Sequence, residues 1–191
     1  MKISARTTHR SKRFLVAATC LLALGNAGVA GAVDPPIEGV RIQVDAKPDP
    51  NGDSLSIRGT VTAAPGTDLV ADALAPGKGI DLFLLGADLT TVVADSSWGA
   101  VLCKSLASGR SLKCSDSMGR RISLSSSAAK PGIYRVNAFV PKINLYVDPP
   151  FQLPLAAALT IPDSGSWLGE TTIDECKTQR AGNRAICKAK P

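Results

Sequence analysis

The sequence predicts an all-β fold, an antiparallel β-sandwich of immunoglobulin-like type, and three observations predict it. Apolar residues recur with a period of two along much of the chain, the pattern of strands with one face in a core. The alternating runs are short and are separated by turns rich in Gly, Pro and Asn. Helical periodicity is confined to residues 68–75, enough for one or two turns capped by Thr67.

The chain opens on a leader. Lys2, Arg6, Arg10, Lys12 and Arg13 precede an apolar run from Phe14 to Leu24, and Ala30-Gly31-Ala32 offers a small-residue cleavage site. This three-part pattern is that of a signal peptide. Residues 1–32 are therefore expected to leave near Ala32, and residues 33–191 to form a single β-sandwich domain, secreted or periplasmic. The apolar run is too short for a permanent anchor, and no later stretch has spanning length, so no transmembrane segment is expected in the mature chain. Cys20 lies early in the run, ahead of the small-residue site, which argues against lipidation. Ser11-Lys12-Arg13-Phe14-Leu15 approaches a twin-arginine signal without completing it.

The strands follow in order. Val40, Ile42 and Val44 alternate with Arg41, Gln43 and Asp45. Leu55, Ile57 and Val61 alternate with Ser56, Arg58 and Thr60, and the Pro/Asn/Gly segment between the two runs makes them a hairpin. Ile80 to Leu85 is dense enough in apolar residues to be buried on both faces, and Leu89 to Ala94 reads as its continuation after a break at Gly86-Ala87-Asp88. Val101–Leu106 and Ser111–Ser115 form a hairpin, and Arg121 to Ser125 alternates through Ile122 and Leu124. Tyr134, Val136, Ala138 and Val140 mark one face of a further strand. Leu155, Ala157, Leu159 and Ile161 mark another, bounded by Pro154 and Pro162.

Cysteine spacing adds covalent detail. Without Cys20 four cysteines remain, and an even number in an exported chain reads as disulfides. Ten residues separate Cys103 from Cys114, and ten separate Cys176 from Cys187. In each segment Lys follows the first cysteine and Gly lies six places on, where a tight turn wants positive φ. Folding each segment about its Gly brings its cysteines opposite each other, so Cys103–Cys114 and Cys176–Cys187 are expected. Zinc would ask for closer cysteine pairs than these.

The C-terminal half has a recurring layout. Tyr134-Arg135-Val136 is followed by Pro150-Phe151 and Pro154, a strand ending Leu159-Thr160, the run Thr172-Ile173-Asp174-Glu175-Cys176 and a final Ile186-Cys187-Lys188. Over roughly the last 90 residues it resembles a group of uncharacterised secreted bacterial β-sandwich proteins with two cysteine hairpins. The resemblance implies the fold and the export, and brings no activity, ligand or catalytic residue.

The catalytic inventory is thin. His9, the single histidine, lies in the leader, so the mature chain has no Ser-His-Asp or Cys-His machinery and no imidazole for a metal. Asp49, Asn51 and Asp53 have calcium-loop spacing, but Ser54 and Thr60 stand where Gly and Glu are needed. Ser127-Ala128-Ala129-Lys130 matches the S-x-x-K of serine acyl-transferases, yet Pro131-Gly132 opposes the helix that chemistry uses. Asp163-Ser164-Gly165 resembles one half of an aspartic protease site, and no second half exists. Pro76-Gly77-Lys78-Gly79 is too short for a phosphate loop. Glu38, Glu170 and Glu175 are the only mature glutamates, and no spacing singles out a carboxylate pair. Trp98 and Trp167 are a candidate sugar-stacking pair, although such residues more often serve the core. No cofactor and no enzyme activity are expected.

Charge is the remaining signal. Residues 33–99 carry 10 acids and 4 bases, while residues 100–191 carry 6 acids and 13 bases. The bases concentrate at the cysteine hairpins. Lys104, Arg110, Lys113, Arg120 and Arg121 surround the first, and Lys177, Arg180, Arg184, Lys188 and Lys190 belong to the second. Projecting from one end of the sandwich, the hairpins would form an anion-binding patch. Solvated charges that keep exposed strands from pairing with other chains explain the same residues. The leading expectation is thus a non-catalytic binding or structural module of the bacterial envelope or secretome with an unknown partner. The alternatives are a binder of polyanions, whether envelope polysaccharide, lipid headgroup or acidic protein, and a carboxylate- or metal-dependent hydrolase. Nucleic acid is not expected, because the compartment is wrong and aromatics for base stacking are scarce.

Overall fold

The computed structural model describes residues 37–47, 52–162, 167–173 and 175–188, with the backbone path alone over 167–173. All belong to the compact unit Val33–Pro191. The leader, most of the 49–53 calcium-like segment, Asp163-Ser164-Gly165 and Lys190 lie outside the described residues, as does the Trp167 side chain.

Two antiparallel sheets pack face to face. In chain order the strands are β1 (Ile37–Asp45), β2 (Ser54–Thr62), β3 (Gly79–Leu85), β4 (Val92–Gly99), β5 (Cys103–Leu106) and β6 (Ser111–Ser115). They continue with β7 (Arg121–Ser127), β8 (Lys130–Pro141), β9 (Leu155–Thr160), β10 (Trp167–Ile173), β11 (Glu175–Gln179) and β12 (Arg184–Lys188). The large sheet runs β11-β12-β1-β2-β8-β7-β6-β5 and the small one β10-β9-β3-β4. The period-two residues of the sequence meet between them. Ile42, Val44, Leu55, Ile57, Leu124, Val136 and Ala138 from the large sheet join Ile80, Leu82, Leu84, Trp98, Leu155 and Leu159 from the small sheet in one core. Burying a side chain of this size contributes about 1.5–3 kcal/mol.

One helix, α1 (Leu69–Leu74), bridges from β2 to β3 and buries Leu69, Val70 and Ala73. Its cap is Asp68, one residue later than expected: the carboxylate accepts from the amides of Val70 and Ala71 at 3.0 and 3.2 Å. A carboxylate also complements the helix dipole, which the Thr67 hydroxyl cannot do. Between α1 and β3, Gly79 has φ +145°, and a Cβ there would lie 2.0 Å from the Trp98 carbonyl oxygen. Gly79, at the end of the segment too short for a phosphate loop, is therefore needed for close backbone approach to β4.

Two expectations need correction. Leu89 to Ala94 does not continue β3. The Asp88 carboxylate accepts from the Thr90 and Thr91 amides and the Thr91 hydroxyl, closing a turn that returns the chain as β4 beside β3. Residues 101–102 belong to a short 3-10 turn, Ala100–Leu102, so the first cysteine hairpin begins at Cys103.

Both disulfides form as expected. Cys103 faces Cys114 across β5 and β6, and Cys176 faces Cys187 across β11 and β12, with Cα separations of 3.9 and 4.0 Å. Each closes a loop worth about 3 kcal/mol in the chain-entropy account. The two four-residue turns share a conformation. Ala107 and Ser108 have φ 53° and 56° ahead of Gly109 at 87°, and Arg180 and Ala181 both have 54° ahead of Gly182 at 93°. The hairpins form the two opposite edges of the large sheet, so the bridges fasten its shortest outer strands.

Candidate functional site: the outer face of the large sheet

Alternation decides which side chains this face presents. Because Val40, Ile42 and Val44 point into the core, Arg41 and Gln43 of β1 point out. Leu55 and Ile57 do the same on β2, leaving Ser56 and Arg58 outside. β8 exposes Arg135, Asn137 and the half-buried Phe139, β7 exposes Arg121 and Ser123, and β6 exposes Lys113 between buried Leu112 and Cys114. Lys104 of β5, Lys177 of β11 and Lys188 of β12 complete the set at the edges.

Strand register then turns scattered residues into a row. Lys188 lies opposite Arg41, and Arg41 opposite Arg58. Arg58 faces Asn137, Asn137 faces Ser123, Ser123 faces Lys113 and Lys113 faces Lys104. Five cations and two neutral hydrogen-bonding side chains thus cross seven neighbouring strands. A depression of about 120 Å³ lined by Arg58, Lys113, Arg121, Ser123, Asn137 and Phe139 lies at the centre. One of about 140 Å³ lined by Arg41, Gln43, Ser56 and Arg58 adjoins it. A third, of about 390 Å³, extends the face past Thr60, Ser125, Ser127, Lys130 and Arg135. The Arg121 guanidinium sits over the Phe139 ring, 4.9 Å from its centroid, within cation–π range.

Ion pairs elsewhere in the described residues leave Arg41, Arg58, Lys113 and Lys104 with no carboxylate directly opposite in register, whereas Lys188 has Glu175 opposite it. Those pairs join Arg120 to Asp116, and Arg180 and Arg184 to Asp45. Glu38 and Glu175 are the acids in register with this face, at its margins: Glu38 faces Thr60 and Glu175 faces Lys188. Asp81 and Asp95 instead stand on the small sheet, where the Tyr146 hydroxyl donates to Asp95 at 2.6 Å. The Asp95 carboxylate, by hydrogen bond and by charge, pushes the Tyr146 pKa up.

The hairpin residues singled out by charge divide accordingly. Lys104, Lys113, Arg121, Lys177 and Lys188 share the outer face. Arg110 lies in the β5–β6 turn and donates to its own Ala107 carbonyl. Arg120 is held by Asp116 and also reaches Ser96. Arg180 and Arg184 are committed to Asp45. The hairpins do not project together: one turn lies beside Ala46, the other beside Ser126. Three cations of the face, Arg41, Arg58 and Arg135, were missed by grouping charge along the chain. Their outward positions in alternating strands were the available signal.

The other candidates take structural roles. Trp98 is fully buried in the core and presents no surface to a sugar. Ser127 accepts from the Lys130 amide at 3.2 Å, closing the β7–β8 turn instead of lying on a helix. Asp53 accepts from the Lys47 amide at 2.7 Å. A separate cavity of about 360 Å³ lies between Asp88, Thr91, Val93, Asp148, Phe151 and Leu155. There the Thr91 hydroxyl and the neighbouring amides hold the Asp88 pKa well below the usual carboxylate range. Among the described residues no cluster of His, Cys, Asp and Glu could hold a metal ion, and no helix is long and apolar enough to cross a membrane. No known protein family, curated protein or solved structure matches the chain.

Proposed function

We propose that the protein is an exported, non-catalytic binding module, an immunoglobulin-like β-sandwich of the bacterial envelope or secretome, that holds an anionic partner on the outer face of its large sheet. The leader pattern and the two disulfides support export to an oxidising compartment. The observation that carries the binding role is the cross-strand row Lys188, Arg41, Arg58, Lys113 and Lys104. Like charges directly opposite each other in a sheet destabilise it, and an anion bound over them removes that cost. Nearly equal numbers of acids and bases in residues 33–191 make this a local feature rather than the result of overall charge.

Retention on an anionic matrix tests the reading. The double variant Arg41→Gln/Arg58→Gln should elute at clearly lower salt than Lys78→Gln/Lys142→Gln, which has the same net charge and keeps the row. Equal elution of the two variants would remove the site. Turnover of a peptide, ester or glycan substrate by the purified protein would remove the non-catalytic reading.

A further inference from the structure

Resting on that reading, we infer that the partner is a linear anionic polysaccharide that crosses the strands and bridges two separate cationic clusters. The row is not uniform. Lys188, Arg41 and Arg58 occupy three adjacent strands, Asn137 and Ser123 occupy the next two, and Lys113 and Lys104 the last two. At about 4.8 Å per strand the row measures about 29 Å, and the neutral interval between Arg58 and Lys113 about 14 Å. Asn137, Ser123, Ser56 and Gln43 offer amide and hydroxyl groups within or beside the row, and the depressions join them to Arg58, Lys113 and Arg41. Cations at both ends and neutral hydrogen-bonding groups between them suit a chain that carries hydroxyls as well as charged groups.

The shape of the sheet selects a polymer over a bilayer. Strands of a sheet are rotated by about 20° relative to their neighbours, so a row crossing seven strands turns along its length. A flexible linear chain can follow such a row, whereas a membrane surface touches part of it. The exposed large apolar side chain in register with this face is Leu106, at its β5 edge and away from the centre of the row, which offers a bilayer a single marginal contact. Phe139 is half-buried beneath Arg121, and Ile186 and Ile133 are half-buried within the strands. Base stacking is disfavoured because Phe139, the aromatic residue in register with the row's strands, is half-buried and covered by Arg121.

The test is a length series. Size-defined heparin oligosaccharides and oligogalacturonates, carrying sulfate and carboxylate respectively, are titrated into the purified disulfide-bonded protein by calorimetry. Chains long enough to bridge both clusters should bind about a hundredfold more tightly than disaccharides, since the second cluster engages at high effective concentration. The variant Lys104→Gln/Lys113→Gln should erase that length dependence, with a melting temperature no lower than that of the wild type showing that the fold is intact. A preference between the two series identifies the anionic group recognised and, with the length dependence, supports the inference. Length-independent binding would overturn the bridging inference and leave the anionic face standing. Tighter binding to anionic phospholipid vesicles or to single-stranded DNA than to the longest glycan would overturn the ligand class. No binding by any anionic probe would overturn both readings.

Discussion

Asp116 shows how a single carboxylate is assigned to structure rather than to function. It accepts from the Met118 and Arg120 amides at 2.9 and 3.0 Å and from the Arg120 guanidinium, tying the β6–β7 turn. Burial alone would raise its pKa, but the Arg120 and Met118 hydrogen bonds outweigh this and hold it below the ordinary value. A depressed folded-state pKa gives stability that is present above the unfolded aspartate value of about 3.9 and is lost as pH falls through the folded value. Asp116→Asn should lower stability near pH 7 by about 1 kcal/mol through weakened hydrogen bonds, and should flatten the loss on acidification below about pH 4. Urea denaturation of both proteins across that range checks the sign. An unchanged acid slope in the variant would assign the pH dependence to other carboxylates. Residues of this kind explain why charge counted along the chain overestimated the hairpins: Arg120, Arg180 and Arg184 have carboxylate partners distant or concealed in the sequence.

At the scale of elements, the two cysteine hairpins have one local design and different surroundings. Gly109 and Gly182 both have positive φ, so alanine at either position meets the left-handed penalty of about 1–2 kcal/mol. A Cβ at Gly109 meets open space, but one at Gly182 would lie 2.8 Å from the Pro150 Cβ. Gly182→Ala should therefore destabilise by about 1 kcal/mol more than Gly109→Ala, measured by urea denaturation with both disulfides intact. Equal losses would mean that Pro150 moves aside at little cost. The hairpins were legible in the sequence because cysteine spacing and a mid-loop Gly are local facts. β4 was less so: its inward positions include Ser96 and Trp98, and Asp95, Ser96 and Ser97 interrupt the apolar alternation. β10 gave no clear period, with Gly169, Glu170, Thr171 and Thr172 at its centre. The site was legible only in part. Alternation turns Arg41 and Arg58 outward, but placing them in line with Lys113 and Lys104 requires the order β1-β2-β8-β7-β6-β5, which is set by tertiary pairing.

For the whole molecule, the distribution of charge sets fold stability against the proposed anion binding. The core and two disulfides hold a sheet on which Lys188 faces Arg41, Arg41 faces Arg58 and Lys104 faces Lys113. Each such contact opposes folding by a few tenths of a kcal/mol, screened by salt. Arg41 takes part in two of them, so Arg41→Gln should stabilise the protein by about 0.5 kcal/mol at low ionic strength, a rise in melting temperature of about 2 °C. In high salt the difference should shrink towards zero, because screening relieves the wild type equally. A saturating polyanion should reverse the order. It binds the folded wild type more tightly than the variant, and linkage raises the melting temperature of the tighter complex further. Thermal melts of both proteins at low salt, at high salt and with a long anionic oligosaccharide separate the causes. A variant that melts lower than wild type under all three conditions would show that Arg41 supports the sheet, and the row would lose its standing as a surface kept for a ligand at a cost to the fold.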